Sequence, residues 1–475
     1  MRRLHSSAVG HSRLLLFPGL FQWLALVAIA SLSACVTPPE TMHPIPEAAP
    51  VAFESAHGPV STQTSKQIID TLEDASGDDA ILKKHLAVEE ALNQDNPLVL
   101  GNKLSLLQDG PATYAAMFAA IRAARHSINL ETYIFDDGRI GTEFADLLLA
   151  KQASGVQVNV IYDSVGCLDT PAEFFDRLRD GGIRILEFNP VNPANAHKRK
   201  WRLNNRDHRK LLVVDGQIAF LGGINISETY SSGSFSRSRK KGGSSEAGWR
   251  DTQLQIEGPV VAELQKDFMD TWARQKGPPL PEKHYFPKLV TEGKEIVRAI
   301  ASESDEPASP IYLTLLSAIN HAERFVHLTN AYFVPDPQLV RALIGAARRG
   351  VDVQLILPGK SDSWLVFQAG RSHYSELLRA GIRIYERRDT VLHAKTASID
   401  GVWATIGSTN LDWRSYLHND EINAVILGTH FSRQMEAMFD QDRAASTLIE
   451  PARWQRRSPL QHMEEWVARR FEYWL

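Results

Sequence analysis

The sequence predicts an α/β protein of two homologous halves, each a mostly parallel β-sheet flanked by helices, facing each other across one shared active site. Three observations carry this. The stretch RDHRKLLVVDGQIAFLGGIN, Arg206 to Asn225, returns as LHAKTASIDGVWATIGSTN, Leu392 to Asn410, about 185 residues on, roughly one domain length. Ahead of each copy, strand-like and helix-like stretches alternate at short spacing, the pattern of parallel strands with crossover helices. Each copy also carries the same reactive set, HxKxxxxD: His208, Lys210 and Asp215, then His393, Lys395 and Asp400.

The first 35 residues read as a lipoprotein signal peptide. Arg2, Arg3 and Arg13 precede an uncharged apolar run, Leu14 to Ala34, and Leu32-Ser33-Ala34-Cys35 resembles the bacterial lipobox, whose cysteine is acylated. The alternative is an uncleaved anchor helix, since about 20 apolar residues span a bilayer; Pro18, Gly19 and Gln22 shorten the run. Both readings tether the body to a membrane of a bacterial cell envelope, on its extracytoplasmic side. Residues 36–95 follow as a Pro/Ala-rich linker and helices of uncertain order, interrupted at Gly77-Asp78-Asp79.

The first half is expected over 96–285. Ser127 to Phe135 reads as a strand, Gly141 to Ala153 as a helix stopped at Gly155, and Val156 to Tyr162 as a strand. A helix over Pro171 to Asp180 and the strand GIRILEF lead to the first motif. The second half, 286–475, repeats this: a strand over Phe325 to Phe333, a helix over Gln338 to Arg349 stopped at Gly350, VDVQLILPG, a helix ending near Ala380, and GIRIYER. Gly277-Pro278-Pro279-Leu280-Pro281 marks the break.

Within each motif the alternation of a strand puts the histidine and the lysine two residues later on one face. Asp215-Gly216 and Asp400-Gly401 then predict hairpin turns in which both central residues take positive φ. A second strand ends in a small-residue turn and an asparagine, Asn225 or Asn410, giving G-[GS]-x-N twice.

These paired motifs resemble the phospholipase D superfamily, and TYIFDD (Thr132 to Asp137), GVQVNVIYDSVG (Gly155 to Gly166) and WRDTQLQIEGP (Trp249 to Pro259) look most like bacterial cardiolipin synthases. The resemblance runs from about Leu98 to the end. It implies phosphatidyl transfer between two phosphatidylglycerol molecules, releasing glycerol and forming cardiolipin, with His208 as nucleophile and His393 as general acid. It also implies Asp215 and Asp400 as members of the signature, although their place in a turn suits support of the lysine strand better than chemistry.

Phosphodiester chemistry needs a nucleophile, a proton for the leaving oxygen and positive charge on the non-bridging oxygens. Imidazole serves the first two near neutral pH. One histidine would form a phosphohistidine while the other protonates the leaving alcohol and then activates the incoming one. Lys210 and Lys395, with Asn225 and Asn410, would hold the phosphate oxygens, which requires the halves to face each other. Each histidine also needs a carboxylate on its other nitrogen, and Asp251 and Glu421 occupy matching strands after the two motifs.

Composition narrows the alternatives. Two cysteines, Cys35 and Cys167, exclude a disulfide framework and a cysteine-built zinc site, and no HExxH, EF-hand loop or P-loop occurs, so neither metal nor cofactor is expected. Cys167 reads as a small buried hydrophobe. A net charge of −4 gives no general attraction to nucleic acid. The expected partners are an anionic phospholipid and a membrane surface. Other outcomes are a phospholipase D with water as acceptor, a nuclease, or a lipoprotein that only binds lipid.

Three further stretches stand out. Lys198, Arg199, Lys200, Arg202 and Arg206 form either a solvated face or a basic collar beside His208. Ser231 to Gly248 is a polar, Gly/Ser-rich insertion. The C-terminal RWQRRSPLQHMEEWVARRFEYWL mixes aromatics with arginines, which suits a membrane interface or a helix packed on the body equally.

Overall fold

The computed structural model describes residues 50–76, 79–192, 204–234, 248–304, 306 and 308–475. The signal peptide with Cys35, the start of the linker, the basic run at 198–202 and most of the Gly/Ser-rich insertion lie outside them.

Within each half, seven of the described strands take the same spatial order. In the first these are β1 (Leu98–Gln108), β2 (Ser127–Thr132), β3 (Gln157–Asp163), β4 (Arg184–Phe188), β5 (Lys210–Val214), β6 (Ile218–Gly222) and β7 (Thr252–Glu257). Their order across the sheet is β4-β3-β2-β5-β6-β7-β1. The second half supplies β8 (Glu295–Ser302), β9 (Phe325–Asn330), β10 (Asp352–Pro358), β11 (Arg383–Arg387), β12 (Lys395–Ile399), β13 (Trp403–Gly407) and β14 (Asn419–Leu427). Here the order is β11-β10-β9-β12-β13-β14-β8. Strands β1 and β8 pair antiparallel through a register shift and join the two sheets edge to edge.

The mostly parallel sheet expected for each half needs correction in strand direction. Only β2-β3-β4 and β9-β10-β11 run parallel; the other pairings within the halves are antiparallel. The reason lies in the motif itself, because a two-residue Asp-Gly turn can join only antiparallel strands. Asp215 and Gly216 take φ of 54° and 64°, Asp400 and Gly401 take 57° and 73°, as that turn requires.

Strand β5 is buried on both faces, which explains its unbroken apolar run. Leu212 and Val214 point into the core of the first half, whereas Leu211 and Val213 enter a cluster shared with Ala404, Ile406, Ile422 and Ala424 of the second. The shared cluster continues into helices Val261–Arg274 and Thr429–Ala444 through Leu264, Phe268, Phe431 and Met435. Burial of this layer fixes the two hairpins against each other, and with them the two motifs.

Two stretches read as linker or uncertain helix are built into the body. Phe53–Ser55 forms a short strand pairing parallel with β1, and Phe53 is buried. Helix Asp79–Leu92 buries Ile81, Leu82 and Leu86 against the second half. Its His85 Nε2 stands 3.0 Å from Asp400 Oδ2, and its Glu89 accepts from Trp403 Nε1 at 2.7 Å. Glu90 pairs with the buried Arg298 at 2.6 Å. Among the described residues, no helix is long and apolar enough to cross a membrane.

Candidate active site

The two HxK segments enter the site through pairings that cross between halves. Ahead of the first motif, Arg206–Asp207 runs parallel to Asn419–Asp420 of the second half, and His208 N–H donates to Asp420 O at 2.9 Å. Ahead of the second, Arg250 N–H donates to Val391 O at 2.9 Å and His393 N–H to Arg250 O at 2.7 Å. Arg250 itself donates through Nε and Nη2 to the two carboxylate oxygens of Asp442, at 2.8 and 2.7 Å. Each histidine is thus aligned by the strand that follows the other motif.

The side chains repeat this crossing. His208 Nδ1 lies 3.0 Å from both carboxylate oxygens of Glu421, and His393 Nδ1 lies 2.7 Å from Asp251 Oδ2. An Nδ1–H donated to a carboxylate leaves Nε2 as the reactive nitrogen. Around Nδ1 of His393 also stand Lys395 Nζ at 2.9 Å and Tyr230 Oη at 3.1 Å. Lys210 Nζ donates to His208 O at 2.5 Å, and Lys395 donates to His393 O. Sequence reasoning placed a carboxylate behind each histidine; that each comes from the opposite half emerges only in three dimensions.

Burial and like charges set the protonation states. His208 titrates well below the usual histidine range, first because it is buried, then because Lys210, Lys395 and His393 oppose a proton on it. His393 is lowered too, by burial and Lys395, with Asp251 pulling the other way. Burial brings Lys210 down to about 7 and Lys395 to about 8, and lifts the Glu421 carboxyl to about 7. An anionic phosphate between the lysines would restore their charge. In the free enzyme that charge fades as pH rises past 7 to 8, so kcat/KM should fall over that interval. A pH profile of kcat/KM flat through pH 9 would contradict this.

Asp215 and Asp400 sit elsewhere. Each lies at the far end of its lysine's strand, about 16 Å away at ~3.3 Å per residue. Asp215 accepts from the backbone N–H groups of Arg125, His126 and Ser127 at 2.7–2.9 Å, and Asp400 from those of Glu323, Arg324 and Phe325. They pin the hairpin turn to the start of the neighbouring strand, the supporting place that their position in the turn suggests, and stand apart from the reacting residues with which the signature groups them. Asn225 Oδ1 accepts from Ile134 N–H at 3.2 Å and its Nδ2 donates to Tyr230 Oη at 3.3 Å. Asn410 Oδ1 is buried without a hydrogen-bond partner among the described residues. Arg206, counted in the basic collar, is buried beside Asp163 at 3.6 Å and donates to Asn189 O at 2.9 Å. Cys167 is buried as expected, and burial lifts its thiol to about 12.

Comparison with known proteins identifies this arrangement. A family model described as cardiolipin synthase, PLD-like domain matches residues 117–235 and 315–443, one match around each motif. Cardiolipin synthase A of Pseudomonas entomophila (strain L48) is 38% identical over 352 residues, 73% of this chain and 69% of that protein. The cardiolipin synthase of Geobacillus kaustophilus (strain HTA426) is 34% identical over 377 residues, 79% and 72% of the two chains. The chain belongs to the phospholipase D superfamily, close to the cardiolipin synthases. Its reaction class is accordingly that of a phospholipase D-type phosphatidyltransferase. The crystal structure of phosphatidylserine synthase from Haemophilus influenzae Rd KW20 shares the fold, with a TM-score of 0.60 at 13% identity, covering 81% of this chain and 97% of that one.

Several residues of this superfamily site escaped sequence reasoning. Tyr133 and Tyr332, each just past the first parallel strand of its half, place rings 5.1 Å from His208 and 5.9 Å from His393. Their recurrence at matching places was a readable signal. Trp249 adds a ring 5.4 Å from His393. Within G-[GS]-x-N the variable position also has a task. Ser408 Oγ donates to Glu421 Oε2 at 2.5 Å, whereas a Cβ on Gly223 would lie 2.2 Å from Asp251 Oδ1. The first copy needs glycine because its carboxylate packs against the turn. Gly223→Ala should push Asp251 off His393 and cost about 10- to 100-fold in kcat, the usual range for a supporting partner. Unchanged kcat, with the thermal transition as a check on folding, would contradict this.

Proposed function

We propose that this phosphatidyltransferase makes cardiolipin from two molecules of phosphatidylglycerol through a phosphohistidine. The supporting observation is the crossed pair of histidine–carboxylate contacts, which leaves Nε2 of each histidine free to act on a phosphate held by both lysines. His208 Nε2 attacks phosphorus, the bond to the glycerol headgroup breaks, and His393 gives that oxygen its Nε2 proton. The headgroup hydroxyl of a second phosphatidylglycerol then loses its proton to His393 and attacks phosphorus, breaking the N–P bond. Lys210 and Lys395 neutralise the charge that builds on the non-bridging oxygens. Burial and the neighbouring lysines lower His208 well below the usual histidine range, which keeps its imidazole neutral and suits it as nucleophile.

Mass spectrometry of lipids after incubation of purified protein with phosphatidylglycerol tests this. Cardiolipin with free glycerol supports the proposal; phosphatidic acid would make water the acceptor, and unchanged lipid would leave a binding protein.

We further propose that an acylated Cys35 holds the body on the extracytoplasmic side of a bacterial membrane. Cys35→Ala should then abolish incorporation of labelled fatty acid, and equal labelling of both forms would refute the anchor.

A further inference from the structure

The C-terminal helix Pro459–Arg469 is inside out. A helix packed on a protein body turns its apolar stripe inward. This one turns Glu464, Glu465 and Ala468 inward, with Glu465 buried against Arg457 at 2.8 Å. Leu460, Met463, Trp466 and Val467, spaced to share the opposite face, are exposed, Trp466 by 59%. Trp474 beyond the helix is 55% exposed. The cost of facing apolar groups to water is not offset within the described chain, which marks the face as a contact surface.

Two features say what covers it. The first is charge. Arg470 lies over the Trp466 ring at 4.9 Å, and exposed Arg453 and Arg456 lie just ahead of the helix. Of the acids on and just past the helix, Glu465 pairs with Arg457 at 2.8 Å, Glu472 with His373 at 3.1 Å, and Glu464 accepts from the Gln368 amide at 3.4 Å. Tryptophan and arginine beside an aliphatic stripe match the headgroup level of an anionic bilayer. The second is continuity with the site. Leu475 O accepts from Arg414 N–H at 3.0 Å, four residues past Asn410. Ala468 packs in one cluster with Trp413 and with Ala369 of helix Trp364–Ser372. That helix begins with Trp364, 53% exposed, and follows Asp362, which accepts from Tyr332 Oη at 2.8 Å.

We infer that helix Pro459–Arg469 lies in the surface of the anionic bilayer that holds the substrate and sets the active-site cleft against it. The inference rests on the phospholipid substrate proposed above and adds the element that meets the membrane. The tether brings the body near the bilayer; this helix orients it.

The test compares the full-length protein with a Leu460→Ser, Met463→Ser, Trp466→Ser variant. Turnover is measured on phosphatidylglycerol vesicles and on a monomeric short-chain phosphatidylglycerol, and hydrogen exchange is followed with and without vesicles. The expected result is a fall of about tenfold or more on vesicles, unchanged turnover on the monomeric lipid, and vesicle protection of 459–469 only in wild type. Equal turnover on vesicles, or no local protection, would overturn the inference. So would lipid-independent protection that grows with protein concentration, since the face would then join two copies of the chain. Should wild type turn over neither substrate, the proposed reaction fails, while exchange still decides the docking face.

Discussion

His208→Ala should abolish phosphatidyl transfer, a loss on the order of 10⁴–10⁶, because the attacking nitrogen is gone and nothing else in the crossed pair can replace it. His393→Ala should fall by only about 10²–10⁴, the range for a missing general acid, and should still release some glycerol as the covalent adduct forms. The two variants should also separate by leaving group. A phosphatidyl ester of p-nitrophenol needs no proton to depart, so His393→Ala should recover most of its first half-reaction on that ester. His208→Ala should recover none. Rescue of His208→Ala alone would exchange the two roles.

The second large effect follows from the crossing of the carboxylates. Asp251→Asn and Glu421→Gln each replace an acceptor by an amide that can stabilise the wrong imidazole tautomer, with an expected cost of about 10²–10⁴. The pattern matters more than the size. Asp251 stands in the first half but serves His393, so Asp251→Asn should be rescued by the p-nitrophenyl ester. Glu421 stands in the second half but serves His208, so Glu421→Gln should not be. If instead each variant behaved like the loss of the histidine in its own half, the crossed assignment would be wrong. Glycerol release and ester hydrolysis, measured side by side, make the comparison.

Much of this was legible in the chain because it is local and repeated. The Asp-Gly turns could be read from two residues, since few other pairs accept positive φ at both positions. The His-Lys face followed from the period of a strand. What escaped reading depends on long-range register. Nothing in the spacing of Asp251 says that its strand will meet Val391, because that pairing is set by the cluster shared between the two halves. Helix Asp79–Leu92 was obscure for a related reason: Glu89, Glu90 and His85 look like a solvent face until Arg298, Trp403 and Asp400 arrive from the second half. Arg206 was misplaced in the opposite sense. In sequence it joins a basic run, yet Asp163 and Asn189 O draw it into the interior. The parallel order was overestimated because strand–helix alternation dominates the first part of each half, while the motif hairpin contributes its antiparallel strands from a few residues.

One site shared by two halves can hold one phosphatidyl group at a time. Acid quenching of wild-type enzyme turning over radiolabelled phosphatidylglycerol, followed by peptide mapping, measures this directly. The structure predicts at most one label per chain, carried on the peptide that contains His208. Two labels per chain, one on each histidine peptide, would mean two independent sites and would contradict the shared active site.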